Sequence, residues 1–129
     1  MNRILGIDYG SKRVGIAICD EAGQFAMPDS VIQNSPALLE EIKKLAAEKG
    51  VQEIVMGESK NYKGEANDIL APSLVFKQEL EDAGFIVHLE PEYMTSMHAE
   101  EIQGKNDLSD ASAAALILQR YLDKQKNSA

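Results

Sequence analysis

The stretch Ile4-Leu5-Gly6-Ile7-Asp8-Tyr9-Gly10 ends a short apolar run on a single carboxylate. An apolar run of this length, closed by a turn signal, reads as a buried strand. Asp8 then stands where that strand emerges from the core. Burying a carboxylate without a partner is costly, so an acid at such a point is rarely there for stability. Residues 13–20 follow as a second strand, reached through Tyr9-Gly10-Ser11-Lys12, where Gly10 is expected to supply a positive φ. The two runs predict a hairpin with Asp8 beside its turn.

Outward from this hairpin, residues 24–32 read as a third strand after the Ala22-Gly23 turn, and Pro28 marks it as an edge or bulged strand. The apolar period then changes. Leu38, Leu39, Ile42, Leu45 and Ala46 recur at helical spacing, with Ser35 expected as N-cap, Pro36 as first helical residue and Gly50 as the stop. Val51 to Met56 is a fourth strand, ending at Gly57. Ile69, Phe76, Leu80 and Ala83 mark a second helix with Pro72 in its first turn and Gly84 as its stop. Phe85 to Leu89 is a fifth strand, and Ser96 to Gln103 a short helix. Asp107 or Ser109 caps a long final helix reaching about Leu122, leaving Lys124 to Ala129 as a disordered tail.

Three hairpin-connected strands followed by αβαβα predict one α/β domain over residues 1–129. Its mixed five-stranded sheet has three antiparallel strands, then two parallel ones, with helices on both faces. Right-handed crossovers set strands one, four and five side by side. Open sheets of this kind build their sites at the C-terminal ends of parallel strands. Asp8, Gly57 and the run Glu90-Pro91-Glu92 are expected on that one edge.

Composition narrows the function classes. The chain has 129 residues, is 44% hydrophobic, and carries 13 Lys and Arg against 21 Asp and Glu, for a net charge of −8. That balance speaks against gripping nucleic acid by bulk electrostatics. It leaves room for an acidic cleft in which bound cations meet phosphates beside a local basic patch. No apolar run approaches the ~20 residues of a membrane span, and Met1-Asn2-Arg3 lacks a secretory layout. A cytoplasmic protein with no membrane partner is expected. The single cysteine, Cys19, lies inside an apolar strand pattern and reads as a buried structural thiol.

Three acids occupy odd places. Asp8 ends strand one. Glu92 follows strand five, with Glu90 as a competing ligand. Asp110 opens a final helix of mostly apolar or small residues, with Asp107 three positions earlier. Magnesium requires hard oxygen ligands and takes one or two carboxylates per ion. A pair of ions about 4 Å apart stabilises the attacking and leaving oxygens of a phosphodiester. Asp8, Glu92 and Asp110 are therefore the candidate metal-binding and catalytic residues, for Mg2+ or Mn2+. Each also has a bland reading: a turn cap for Asp8, a solvated loop acid for Glu92, a dipole-facing first-turn acid for Asp110. Lys12 and Arg13 at the hairpin mouth, with Lys60, Tyr62 and Lys63 in the polar loop after strand four, are candidate nucleic-acid contacts. Thr95 and Ser96 read as caps, His98 as an exposed helix residue and His88 as structural.

Gly6-Ile7-Asp8-Tyr9-Gly10-Ser11-Lys12-Arg13-Val14-Gly15-Ile16-Ala17 resembles the opening of the YqgF/RuvX family. Asp110-Ala111-Ser112-Ala113-Ala114-Ala115-Leu116-Ile117-Leu118-Gln119-Arg120-Tyr121-Leu122 resembles its closing helix. The family comprises small bacterial proteins described as Holliday junction resolvases and as nucleases maturing precursor small-subunit rRNA. The resemblance implies a ribonuclease H-like three-layer fold and a metal-dependent endonuclease acting on precursor rRNA or branched DNA. It also implies that Asp8, Glu92 and Asp110 are the metal ligands. The middle of the chain departs from the family pattern. Gly57-Glu58-Ser59 stands where the family has Gly-Leu-Pro, and Pro91-Glu92-Tyr93 where it has Asp-Glu-Arg. These changes touch the expected substrate contacts and spare the acids. Two other readings fit part of the pattern: a sugar-kinase or actin-like ATPase, for which one domain is too few, and a non-catalytic adaptor in ribosome biogenesis or transcription. A monomer or a homodimer fits either reading.

Overall fold

The computed structural model describes residues 3–60, 70–93 and 107–128, with side chains undescribed at 58–60, 70–71, 92–93, 107–110 and 126–128. Five strands and three helices follow in the order β1 (Arg3–Tyr9), β2 (Arg13–Cys19), β3 (Ala26–Gln33), α1 (Leu38–Lys49), β4 (Val51–Lys60), α2 (Leu70–Asp82), β5 (Ile86–Tyr93) and α3 (Asp107–Ser128). The sheet order is β3-β2-β1-β4-β5. β1, β2 and β3 pair antiparallel, and β1, β4 and β5 pair parallel. This is the expected mixed sheet. Pro28 sits on the edge strand β3, beside a register shift between Ile16 and Ala17, so it costs the ladder little.

Alternation along the strands separates two cores. Leu5, Ile7, Val14, Ile16, Ile18, Ile54 and Met56 face one way and pack with Leu38 and Ile42 of α1 and Phe76 and Leu80 of α2. Ala17, Cys19 and Val55 face the other way and meet Ala114, Ile117, Leu118 and Leu122 of α3. Cys19 is buried and accepts the Ile4 backbone N–H at Sγ, 3.1 Å, which suits a structural thiol.

The second core is thin, and Gly6 shows why. A Cβ there would lie 2.8 Å from Leu118 Cβ and 2.9 Å from the Ala114 carbonyl oxygen. The helix backbone rests directly on β1. Gln119, inside the closing motif, is a clamp for this helix. Its Oε1 accepts the Ala26 N–H at 2.8 Å and its Nε2 donates to the Gln24 carbonyl at 3.0 Å. A side-chain amide thus completes the ladder where β3 begins.

Several expected boundaries move. Helix α1 starts at Leu38, three residues after Ser35. The Ser35 hydroxyl instead accepts the Ala37 N–H at 3.2 Å, closing a turn ahead of the helix. Gly50 ends α1 at φ 70°, as expected. Gly10 does not have positive φ; its requirement is space, since a Cβ would come 2.4 Å from the Arg13 carbonyl oxygen. β4 runs on to Lys60 because Glu58, Ser59 and Lys60 join the ladder opposite Pro91, Glu92 and Tyr93. Backbone pairing needs no apolar side chains there. Residues 124–128, expected as a loose tail, continue α3. The expected helix at 96–103 lies outside the described residues.

Candidate active site

The parallel strands bring their C-terminal ends to one edge. Gly6 pairs with Val55, and Val55 with His88. Ile7 pairs with Met56, and Gly57 with Glu90. Carried one residue on, Asp8 comes level with Gly57 and Glu90. Positions 8, 57 and 90 belong to the alternate set on the α3 side of the sheet. Gly57 is buried between Asp8 and Glu90 and offers no side chain to separate them. Two strand spacings put the Cα atoms of 8 and 90 about 10 Å apart.

α3 supplies the roof. Its Ala114 and Leu118 lie over Gly6. Gln119 reaches Ala26, which pairs with Cys19 at the opposite end of the sheet from Asp8. The helix therefore packs on β1 at Gly6, and its first turn spans residues 107–110. Asp107 and Asp110 both belong to that turn. Asp8 is half-buried and engaged in an interaction within the fold. Among the described side chains no cluster of three potential metal ligands occurs; those of Glu92, Asp107 and Asp110 lie outside that set. Asp8 and Glu90 are the carboxylates among the described side chains that the strand register brings level here, and carboxylate oxygens are hard donors suited to a magnesium-like cation.

Glu90 behaves differently from a solvated acid. Its side chain is 5% exposed and accepts a 2.6 Å bond from Lys124 Nζ. One rung back, His88 Nε2 lies 3.2 Å from Glu53 Oε2 and its ring stacks on Tyr121 at 5.0 Å. Both pairs tie the last turns of α3 to β5. His88 is structural, as expected. Burial, helped by the Glu53 charge, raises the Tyr121 phenol above its usual range.

The β1–β2 connection closes the other flank. Lys12 is exposed at its tip, and Arg13 opens β2 half-buried. Tyr9 packs against Phe76 at 5.5 Å between ring centres. Lys60 ends β4, and Tyr62, Lys63, Thr95, Ser96 and His98 lie outside the described residues. A cleft of about 680 Å³ lined by Arg3, Glu21, Glu48 and Lys49 sits where β1 begins, at the far end of the sheet from Asp8. One residue of consequence, Asn34, carried no sequence signal: an asparagine after a strand reads only as a turn.

Comparison with known proteins sets this edge in a family. The RuvX family model, described as Holliday junction resolvase, matches residues 2–124. The chain belongs to the RuvX family. A relative from Desulfitobacterium hafniense, named "Putative pre-16S rRNA nuclease", is 35% identical, covering 97% of this chain and 96% of its own. A relative of the same name from Novosphingobium aromaticivorans is 32% identical over 98% and 88%. Among solved structures, Thermus thermophilus RuvC in complex with a Holliday junction substrate superposes with a TM-score of 0.59 at 13% identity, covering 98% of this chain and 96% of that one. A fowlpox virus resolvase bound to junction DNA gives 0.54 at 8% identity. These likenesses establish the ribonuclease H-like fold, and the family and its named relatives make the RuvX chain a nuclease. No helix among the described residues is long and apolar enough to cross a membrane.

Proposed function

We propose that this RuvX chain is a divalent-metal-dependent endonuclease that trims the 5′ end of precursor 16S rRNA, with Asp8, Glu92 and Asp110 as its metal-binding carboxylates. The observation that carries the reading is the shared edge. Asp8 of β1 and Glu90 of β5 come level on either side of a bare Gly57, and the reading sets Glu92 and the Asp110 turn of α3 beside them. These carboxylates would hold Mg2+ or Mn2+, which when bound would supply Lewis-acid stabilisation of charge on the scissile phosphate. The chain's own part is to orient three carboxylates on rigid elements, a strand end on either side and a helix start above. Lys12 and Arg13 hold flanking phosphates from the hairpin, and Lys60, Tyr62 and Lys63 extend that contact along the backbone and bases. Hydrolysis leaves a 3′-hydroxyl and a 5′-phosphate. With a net charge of −8, cations and a local basic patch, not the overall field, must draw the substrate in.

The rRNA substrate is favoured because relatives at 32–35% identity carry that name. The junction-bound likenesses, at 13% and 8% identity, make branched DNA the second reading. Incubating the protein with a precursor transcript and with a four-way junction, each with and without Mg2+ or Mn2+, separates them. Cleavage of the transcript that needs metal and is lost in Asp8→Asn supports the proposal. Junction cleavage alone moves the substrate to DNA. No metal-dependent cleavage of either would leave a binding module.

A further inference from the structure

We infer that Asn34 is a positioning residue for substrate, acting through the hairpin that carries Lys12. The inference rests on the proposed nuclease reading and extends it to a residue outside the acidic edge. Asn34 lies one residue past β3, beyond the terminal pair Arg13–Gln33. Its side-chain Nδ2 donates to the Gly10 carbonyl at 2.7 Å. Its backbone N–H donates to the Lys12 carbonyl at 2.9 Å. Two of the three carbonyls in the Gly10–Lys12 connection are thus held by a single residue just beyond β3.

The connection itself holds no apolar anchor, and Ser11 and Lys12 are exposed. Gly10 is pressed so closely on Arg13 that a Cβ would meet its carbonyl oxygen at 2.4 Å. This backbone is therefore tightly folded but borders solvent, where water competes for its carbonyls. A partly buried amide bond from Asn34 is what keeps one loop shape over others. The loop begins two residues after Asp8, so its shape sets where the Lys12 ammonium stands relative to the scissile phosphate. A phosphate contact from a flexible lysine is worth more when its backbone is already ordered.

A double-mutant cycle tests this. Binding of a fluorescein-labelled RNA spanning the precursor 16S 5′ end is measured by anisotropy over a salt series, beside Mn2+ affinity and melting. Lys12→Ala should weaken RNA binding and reduce the slope of log K against log salt by about one. Asn34→Ala should weaken binding comparably, leave Mn2+ affinity in place, and add nothing in the Lys12→Ala background. Asn34→Leu, close in size and lacking the amide, should behave alike and guards against mere loss of packing. Additive losses, unchanged binding in the Asn34 variants, or unfolding of both would overturn the inference. So would an Lys12→Ala variant that binds as wild type. Metal-dependent cleavage is scored separately. Absence of metal-dependent cleavage in the wild type sinks the nuclease reading without touching the cycle, and a failed cycle in an active enzyme sinks only the role of Asn34.

Discussion

The two faces of the sheet are built to different specifications. The α1/α2 face is filled by large aliphatic and aromatic side chains: Leu5, Ile7, Ile16, Ile42, Met56, Phe76 and Leu80. On the α3 face the sheet offers only Gly6, Ala17, Cys19 and Val55 to Ala114, Ile117, Leu118 and Leu122 of the helix, whose backbone comes against the strand at Gly6. A thick core tolerates adjustment, because side chains can shift between helix and sheet. A thin one converts any added atom into helix displacement. The first face holds the fold together, and the second sets how closely α3 sits on β1; in the proposed site that spacing carries over to the Asp110 turn.

The contrast is breakable. Ile42→Ala should cost about 2–5 kcal/mol of stability, read as a lower denaturant midpoint, while the folded fraction keeps its rate of cleavage per molecule. Gly6→Ala should cost less, about 1–3 kcal/mol of overpacking, yet reduce cleavage per folded molecule because α3 must move outward. Equal rate losses from both variants would erase the distinction between the faces.

Lys124→Met probes the C-terminal anchor of the same helix. It leaves the Glu90 carboxylate buried without its cation, which should cost about 1 kcal/mol. The loss stays modest because Lys124 is 61% exposed and water can replace it. An unchanged midpoint would mean the last turns of α3 are not tied to β5. The smallest effect concerns Tyr121. Burial and Glu53 raise its pKa, so the folded protein keeps a phenol proton that the unfolded chain gives up first. Its contribution is present below about pH 10 and is lost as pH rises through the folded value. Urea midpoints should fall with pH above that point, and Tyr121→Phe should flatten the fall.

The sheet was legible in the sequence because period-2 runs, Gly stops and helical spacing all agreed. The order β3-β2-β1-β4-β5 follows from hairpins and right-handed crossovers alone. Pairing that rests on backbone was not legible. Glu58, Ser59 and Lys60 look like loop but join a ladder, and residues 124–128 look like tail but stay helical with Lys124 reaching Glu90. Gly10 was legible as a turn glycine, but for a positive φ it does not adopt; its reason is crowding against Arg13. Asp8 stood out because an apolar strand rarely ends on an acid. Asn34 and the Glu90–Lys124 pair depend on contacts between residues 24 and 34 positions apart, which no local pattern encodes.

Manganese binding followed by electron paramagnetic resonance reaches the central claim most directly. Wild-type protein should take up Mn2+, and Asp8→Asn, Glu92→Gln and Asp110→Asn should each weaken that uptake while melting near the wild-type temperature. A native protein that binds no Mn2+ would contradict the account, as would three variants that bind it as tightly as the parent.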